Sequence, residues 1–88
     1  LVYLLKCSDG TLYTGITNDI QRRLMAHQNG KASRYTRSRL PVEIVYQEKA
    51  ETKNLALKRE FQIKQLRRAA KAELLAGYHN KKSKARRK

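Results

Sequence analysis

The chain has 88 residues, of which 21 are Lys or Arg and 7 are Asp or Glu, giving a formal net charge of +14. That length supports one small domain with a single modest core and leaves no room for a second. So dense a positive field points to a polyanionic partner, and to nucleic acid over a membrane, because no segment is long and apolar enough to span and the basic helices lack Trp anchors. A solvated basic surface without a partner is the plainer alternative.

In chain order, Val2 to Cys7 and Thr11 to Ile16 are short runs rich in β-branched, Tyr and Leu residues, separated by Ser8-Asp9-Gly10. Asp-Gly between two such runs marks a hairpin, because the turn needs the positive φ that Gly adopts freely. Side chains alternate along strands, so Tyr3 and Tyr13 can point to one side of the pair. Cys7 is the lone cysteine, which excludes an internal disulfide framework and reads as a small buried hydrophobe. With no signal-peptide pattern, a reducing cytoplasm is the expected setting.

A helix follows, with Asn18 as N-cap, Gln21 completing a capping box and Asn29-Gly30 as the stop. Ile20 and Leu24 form its apolar stripe, while Arg23 and His27, one turn apart, border it. Residues Gly30 to Arg39 read as a loop in which Lys31, Arg34, Arg37 and Arg39 are interleaved with Tyr35, a composition suited to phosphate contacts and base stacking, or simply to a connector. After Pro41, Val42 to Tyr46 is a third strand.

Thr52 caps a second helix to about Leu66, with Leu55, Ala56, Leu57, Phe61 and Ile63 as a broad apolar surface. Glu60 falls beside that surface and needs a cation. Lys64, four residues on, is one candidate partner, and a metal ion is the other. A last helix from Arg68 to Ala76 ends near Gly77, and residues 78–88 read as a basic, disordered tail that raises affinity for nucleic acid without reading sequence. The expected fold is thus α/β in the α+β sense, with a three-stranded antiparallel sheet flanked by helices in the order β-β-α-β-α-α and one domain over residues 1–77.

Leu1-Val2-Tyr3, Tyr13-Thr14-Gly15, Arg23, His27 and Glu60, in that order, resemble the GIY-YIG nuclease domain, and in length the chain looks most like its small standalone bacterial members. Leu1-Val2 stands where the first motif has Gly-Ile, and Ile16 where some members carry a Lys. The resemblance implies a catalytic set of Tyr3, Tyr13, Arg23, His27 and Glu60. The tyrosines would lie near the scissile phosphate, Arg23 would contact it, and Glu60 would bind a divalent metal, Mg²⁺ or Mn²⁺. It also implies a DNA substrate in preference to RNA, with specificity weak or supplied by a protein partner. Arg23 suits the role because its charge is permanent and its planar fork matches phosphate oxygens. One carboxylate is enough for Mg²⁺ where waters and substrate oxygens complete the octahedron. The competing expectation is a nucleic-acid-binding module, RNA- or ribosome-associated, on a scaffold that no longer turns over.

Overall fold

The computed structural model describes the backbone of residues 1–86 and the side chains through Tyr78. Its elements are β1 (Val2–Lys6), β2 (Leu12–Ile16), α1 (Ile20–Gln28), α2 (Arg34–Arg37), β3 (Glu43–Glu48), α3 (Lys53–Gln65) and α4 (Arg68–Arg86). The sheet is antiparallel with order β2-β1-β3, so the most apolar strand lies at its centre. The hairpin turn closes as its sequence implies, with Gly10 at φ 84°.

Both faces of the sheet are covered, and the alternation along β1 divides the core in two. Val2 and Leu4 pack with Val45, Tyr46, Ala56 and Ile63 under α3, joined by Leu74, Leu75 and Tyr78 from α4. Tyr3, Leu5 and Cys7 pack with Val42, Tyr13, Ile20, Leu24, Leu40 and Ile44 on the α1 side. β3 contributes to both layers, and its pairing with β1 shifts register between Leu4 and Leu5. Leu4 pairs with Tyr46 and Leu5 with Ile44, which leaves Val45 as the extra residue and lets Val45 and Tyr46 face the same layer.

α1 starts one residue later than the sequence reading had it. Asp19, not Asn18, is the N-cap, its side chain accepting from Arg22 N at 3.2 Å, and Thr17 Oγ1 in turn accepts from Asp19 N at 3.1 Å. Its other end is a Schellman motif. Lys31 N donates to Ala26 O and Gly30 N to His27 O, both at 2.9 Å, with Gly30 at φ 72°. The side-chain amide of Gln28 then imitates a strand partner, donating to Val42 O at 2.6 Å and accepting from Val42 N at 3.3 Å. These contacts return the chain across the end of α1.

Three further expectations are corrected. The segment from Gly30 to Arg39 is not all loop, because Ser33 caps a single helical turn, accepting from Tyr35 N at 3.1 Å. The broad apolar surface of α3 is only partly used. Ala56 and Ile63 are buried, whereas Leu55, Leu57 and Phe61 are 46%, 42% and 64% exposed, since a helix lying on a sheet covers one stripe and leaves its flanks to solvent. α4 runs on through Gly77 to Arg86, past the expected stop at Ala76, because one glycine lowers helix propensity without forcing a break. Of the expected tail at 78–88, Tyr78 packs against the α3 layer, and the side chains from His79 on lie outside the described residues. An ion pair at 2.8 Å between Arg59 and Glu48 pins α3 to β3, and Tyr46 donates to the same carboxylate.

Candidate active site

Tyr3 sits opposite Gly15 and Leu5 opposite Tyr13, so the register puts both tyrosines on the α1 face, with ring centroids 6.5 Å apart. Tyr3 leans across β2 over Gly15. A Cβ at that position would lie 2.5 Å from the Tyr3 hydroxyl and 2.6 Å from Cζ, so only glycine leaves room for the ring. This is the physical content of the glycine in Tyr13-Thr14-Gly15, and the sequence reading assigned it no role.

His27 is fully buried, deeper than the border position its spacing suggested. The Schellman turn fixes the end of α1, and from there the imidazole reaches Tyr3 and α2 at once. Its Nε2 lies 2.9 Å from the Tyr3 hydroxyl and its Nδ1 2.8 Å from Thr36 Oγ1. The edge of Tyr13 closes over it at 5.2 Å between centroids. Burial pushes the His27 imidazole below its ordinary 6.5, and the nearby positive charge of Arg23 pushes the same way. Burial likewise raises the Tyr3 phenol above 10.0, opposed by the Arg23 guanidinium and reinforced by the Tyr13 and Glu60 charges. Both groups are therefore held in their neutral forms.

Arg23 borders this pair. Its Nε is buried and has no hydrogen-bond partner among the described residues. A desolvated guanidinium donor left open costs about 1–3 kcal/mol or more, which an anionic ligand would offset. Arg23 also lines two surface grooves, one of about 590 Å³ shared with Thr17, Asn18, Thr52 and Lys53, the other shared with Arg22 and Ala26. An anion can approach Arg23 along these grooves, and the side chain has to turn before Nε meets it.

Glu60 projects from α3 close enough for its charge to act on Tyr3. Its carboxylate pairs with Lys64 Nζ at 3.4 Å, the i, i+4 partner expected from the sequence. Among the described residues no three His, Cys, Asp or Glu side chains gather into a metal site. A lone carboxylate, one-fifth exposed and paired with a half-exposed lysine, fits a divalent ion that takes its remaining ligands from water and substrate, and does not fit a cage built of protein ligands.

Of the five residues expected to form the site, Tyr3, Tyr13 and His27 are in contact, and Arg23 and Glu60 lie near enough for their charges to act on Tyr3. The basic segment behind them is less uniform. Arg39 donates to Asp9 at 3.0 Å and to Tyr35 O at 2.8 Å, and its guanidinium lies 3.9 Å over the Tyr35 ring. Tyr35 stacks in turn on Tyr13, centroids 6.0 Å apart. Arg39 and Tyr35 therefore brace the site wall, while Lys31, Arg34 and Arg37 are exposed. Thr36 carries one signal in the sequence, a hydroxyl three residues after an N-capping Ser33.

An antiparallel β2-β1-β3 sheet with two tyrosines over an arginine, a buried histidine and a helical glutamate defines the GIY-YIG class of domain. The model of the GIY-YIG catalytic domain matches residues 1–73, and the chain belongs to that family. It is similar to UPF0213 proteins, being 48% identical over 75 residues to one from Staphylococcus saprophyticus, with 85% of this chain and 92% of the relative covered. One from Staphylococcus epidermidis is 50% identical over 74 residues, covering 84% and 90%. Among solved structures, the solution NMR structure of a UPF0213 protein from Bacillus halodurans matches at 40% identity with a TM-score of 0.56, over 85% of this chain and 80% of that one. No helix among the described residues is long and apolar enough to cross a membrane.

Proposed function

We propose that the protein is a metal-dependent endonuclease that hydrolyses phosphodiester bonds in DNA with weak intrinsic sequence specificity. Family membership supports the nuclease class. The observation that carries the reading is the buried, unpartnered Nε of Arg23 beside a tyrosine hydrogen-bonded to a neutral histidine. A phosphate oxygen satisfies the open donor, and the tyrosine–histidine pair supplies a route for the proton that an attacking water must lose.

Of the two tyrosines, Tyr3 has a proton acceptor behind it. Because burial disfavours a free phenolate, Tyr3 works as a relay. As the water oxygen bonds to phosphorus, a water proton passes to Tyr3 Oη while the Tyr3 proton passes to His27 Nε2. The bond from phosphorus to the leaving oxygen breaks, that oxygen takes a proton from solvent, and the His27 proton passes back out through Tyr3 afterwards. Tyr3 is 1% exposed in the free protein, so the attacking water reaches its hydroxyl only if the site opens as substrate binds. Tyr13, half-buried at the mouth, holds the water and phosphate in line. Glu60 is the residue that would hold a Mg²⁺ or Mn²⁺ ion, whose chemistry is to offset charge on the leaving oxygen. Specificity is weak because these contacts are to the phosphodiester and none reads a base, so selectivity would come from substrate shape or a protein partner.

The test is cleavage of flap, junction, duplex and single-stranded substrates with Mg²⁺ or Mn²⁺. Glu60→Gln and Arg23→Ala should each lower the rate on the order of 10²-fold or more while binding persists. Undiminished cleavage by a clean Glu60→Gln preparation would sink the proposal. The Glu60–Lys64 ion pair favours a second reading, a nucleic-acid-binding module without turnover. On that reading no substrate is cut and Mn²⁺ does not bind even with nucleic acid present.

A further inference from the structure

Neither Tyr3 nor His27 specifies by itself which way the hydrogen bond between them runs, and the proton route proposed above requires Tyr3 to be the donor. A neutral imidazole has one N–H and one bare nitrogen, and its outer partner decides which is which. That partner is Thr36, 2.8 Å from Nδ1 and fully buried with the ring. A hydroxyl can donate or accept, but the Thr36 hydroxyl has an acceptor of its own in Ser33 O at 3.4 Å, at the long end of hydrogen-bonding distance. With its hydrogen directed there, Thr36 Oγ1 accepts from Nδ1–H and leaves Nε2 bare. With Nε2 bare, the one hydrogen available between it and the Tyr3 oxygen 2.9 Å away is the phenol's own. The Tyr3 hydrogen therefore goes to Nε2. The hydrogen bonds then run one way: Tyr3 to His27, His27 to Thr36, Thr36 to Ser33.

The geometry points to Thr36 as a positioning residue that fixes His27 in its Nδ1–H form and so keeps Nε2 ready for the Tyr3 proton. Its consequence for rate rests on the nuclease reading, whereas the tautomer itself does not. The turn of helix at Arg34–Arg37 gains a purpose from this, since the Ser33 cap that forms it also supplies the acceptor that orients the Thr36 hydroxyl.

The test uses the full chain labelled with ¹⁵N at histidine, in which His27 and His79 are the only imidazoles. Wild-type protein should show His27 protonated at Nδ1 and bare at Nε2. Thr36→Val keeps the shape and removes the acceptor, and should move His27 toward the Nε2–H form, whereas Thr36→Ser should retain the wild-type pattern. In the cleavage assay Thr36→Val should lower kcat about tenfold or more with KM little changed, and Thr36→Ser should restore most of it. An Nε2–H imidazole in the wild type, or an unchanged tautomer in a folded Thr36→Val protein, overturns the inference. If no substrate is cut by the wild type, the nuclease reading fails, and the tautomer measurement still decides the role of Thr36.

Discussion

At the scale of single residues, the site depends on one that does no chemistry. Gly15 exists so that Tyr3 can lie across β2. A methyl group 2.5 Å from the phenol oxygen has to displace a fully packed ring, so Gly15→Ala should cost about 1–3 kcal/mol and reduce cleavage as severely as loss of Tyr3. Urea unfolding and a cleavage assay on the same preparation would measure both. His27 is held neutral by burial, and a histidine whose folded pKa is depressed stabilises the fold only where the unfolded chain is also neutral. Stability should therefore be constant above about pH 7 and decline as the pH falls through the unfolded value of 6.5, because the unfolded state takes up the proton first. Unfolding midpoints at pH 7.5 and 5.5 for wild type and His27→Gln would isolate this contribution, the variant losing that part of the slope.

At the scale of elements, the one-turn helix Arg34–Arg37 separates two kinds of basic residue that look alike in sequence. Arg39 is committed to Asp9 and Tyr35, both solvent-exposed partners that add little to stability, whereas Arg34 and Arg37 have their charges in solvent. Arg34→Ala with Arg37→Ala should weaken binding to a duplex at low salt and leave the melting temperature nearly unchanged. Arg39→Ala should loosen the Tyr35–Tyr13 stack and act on turnover more than on binding. Fluorescence anisotropy and thermal unfolding of the two variants would distinguish these outcomes. α3 has a related division, in which Ala56 and Ile63 anchor it to the sheet while Glu60 at the edge of that stripe reaches the site.

At the scale of the whole molecule, a net charge of +14 on 88 residues makes counterion release a dominant part of any nucleic-acid affinity. Binding should fall steeply and linearly on a log–log plot against salt. Removing residues 81–88, which carry Lys81, Lys82, Lys84, Arg86, Arg87 and Lys88, should flatten that slope while leaving metal-dependent cleavage at low salt intact. A slope unaffected by the deletion would mean the folded domain makes the phosphate contacts alone. With a single carboxylate offered to a metal, Mn²⁺ should bind weakly to the free protein and more tightly once nucleic acid is present. Calorimetric titration of Mn²⁺ with and without an uncleavable duplex would show the difference.

The hairpin, the three strands, the order of the long helices and the shared face of the two tyrosines were legible in the sequence, because each follows from short-range rules: alternation along a strand, Asp-Gly at a turn, a cap before a helix. Arg23, His27 and Glu60 were found through the spacing of a known motif. The sequence could not show what depends on distant segments meeting. That Tyr3 needs Gly15 beneath it is a matter of strand register and of the tilt of one ring. The full burial of His27 requires α2 and Tyr13 to close over it, and the roles of Thr36 and Arg39 appear only when the segment after Gly30 folds back on α1. Composition and local pattern determined a basic α+β domain carrying the motif residues. Tertiary packing alone decided which of them are desolvated, since burial is a property of neighbours that the chain order does not list, and desolvation is what leaves Arg23 with an open donor and His27 without a charge.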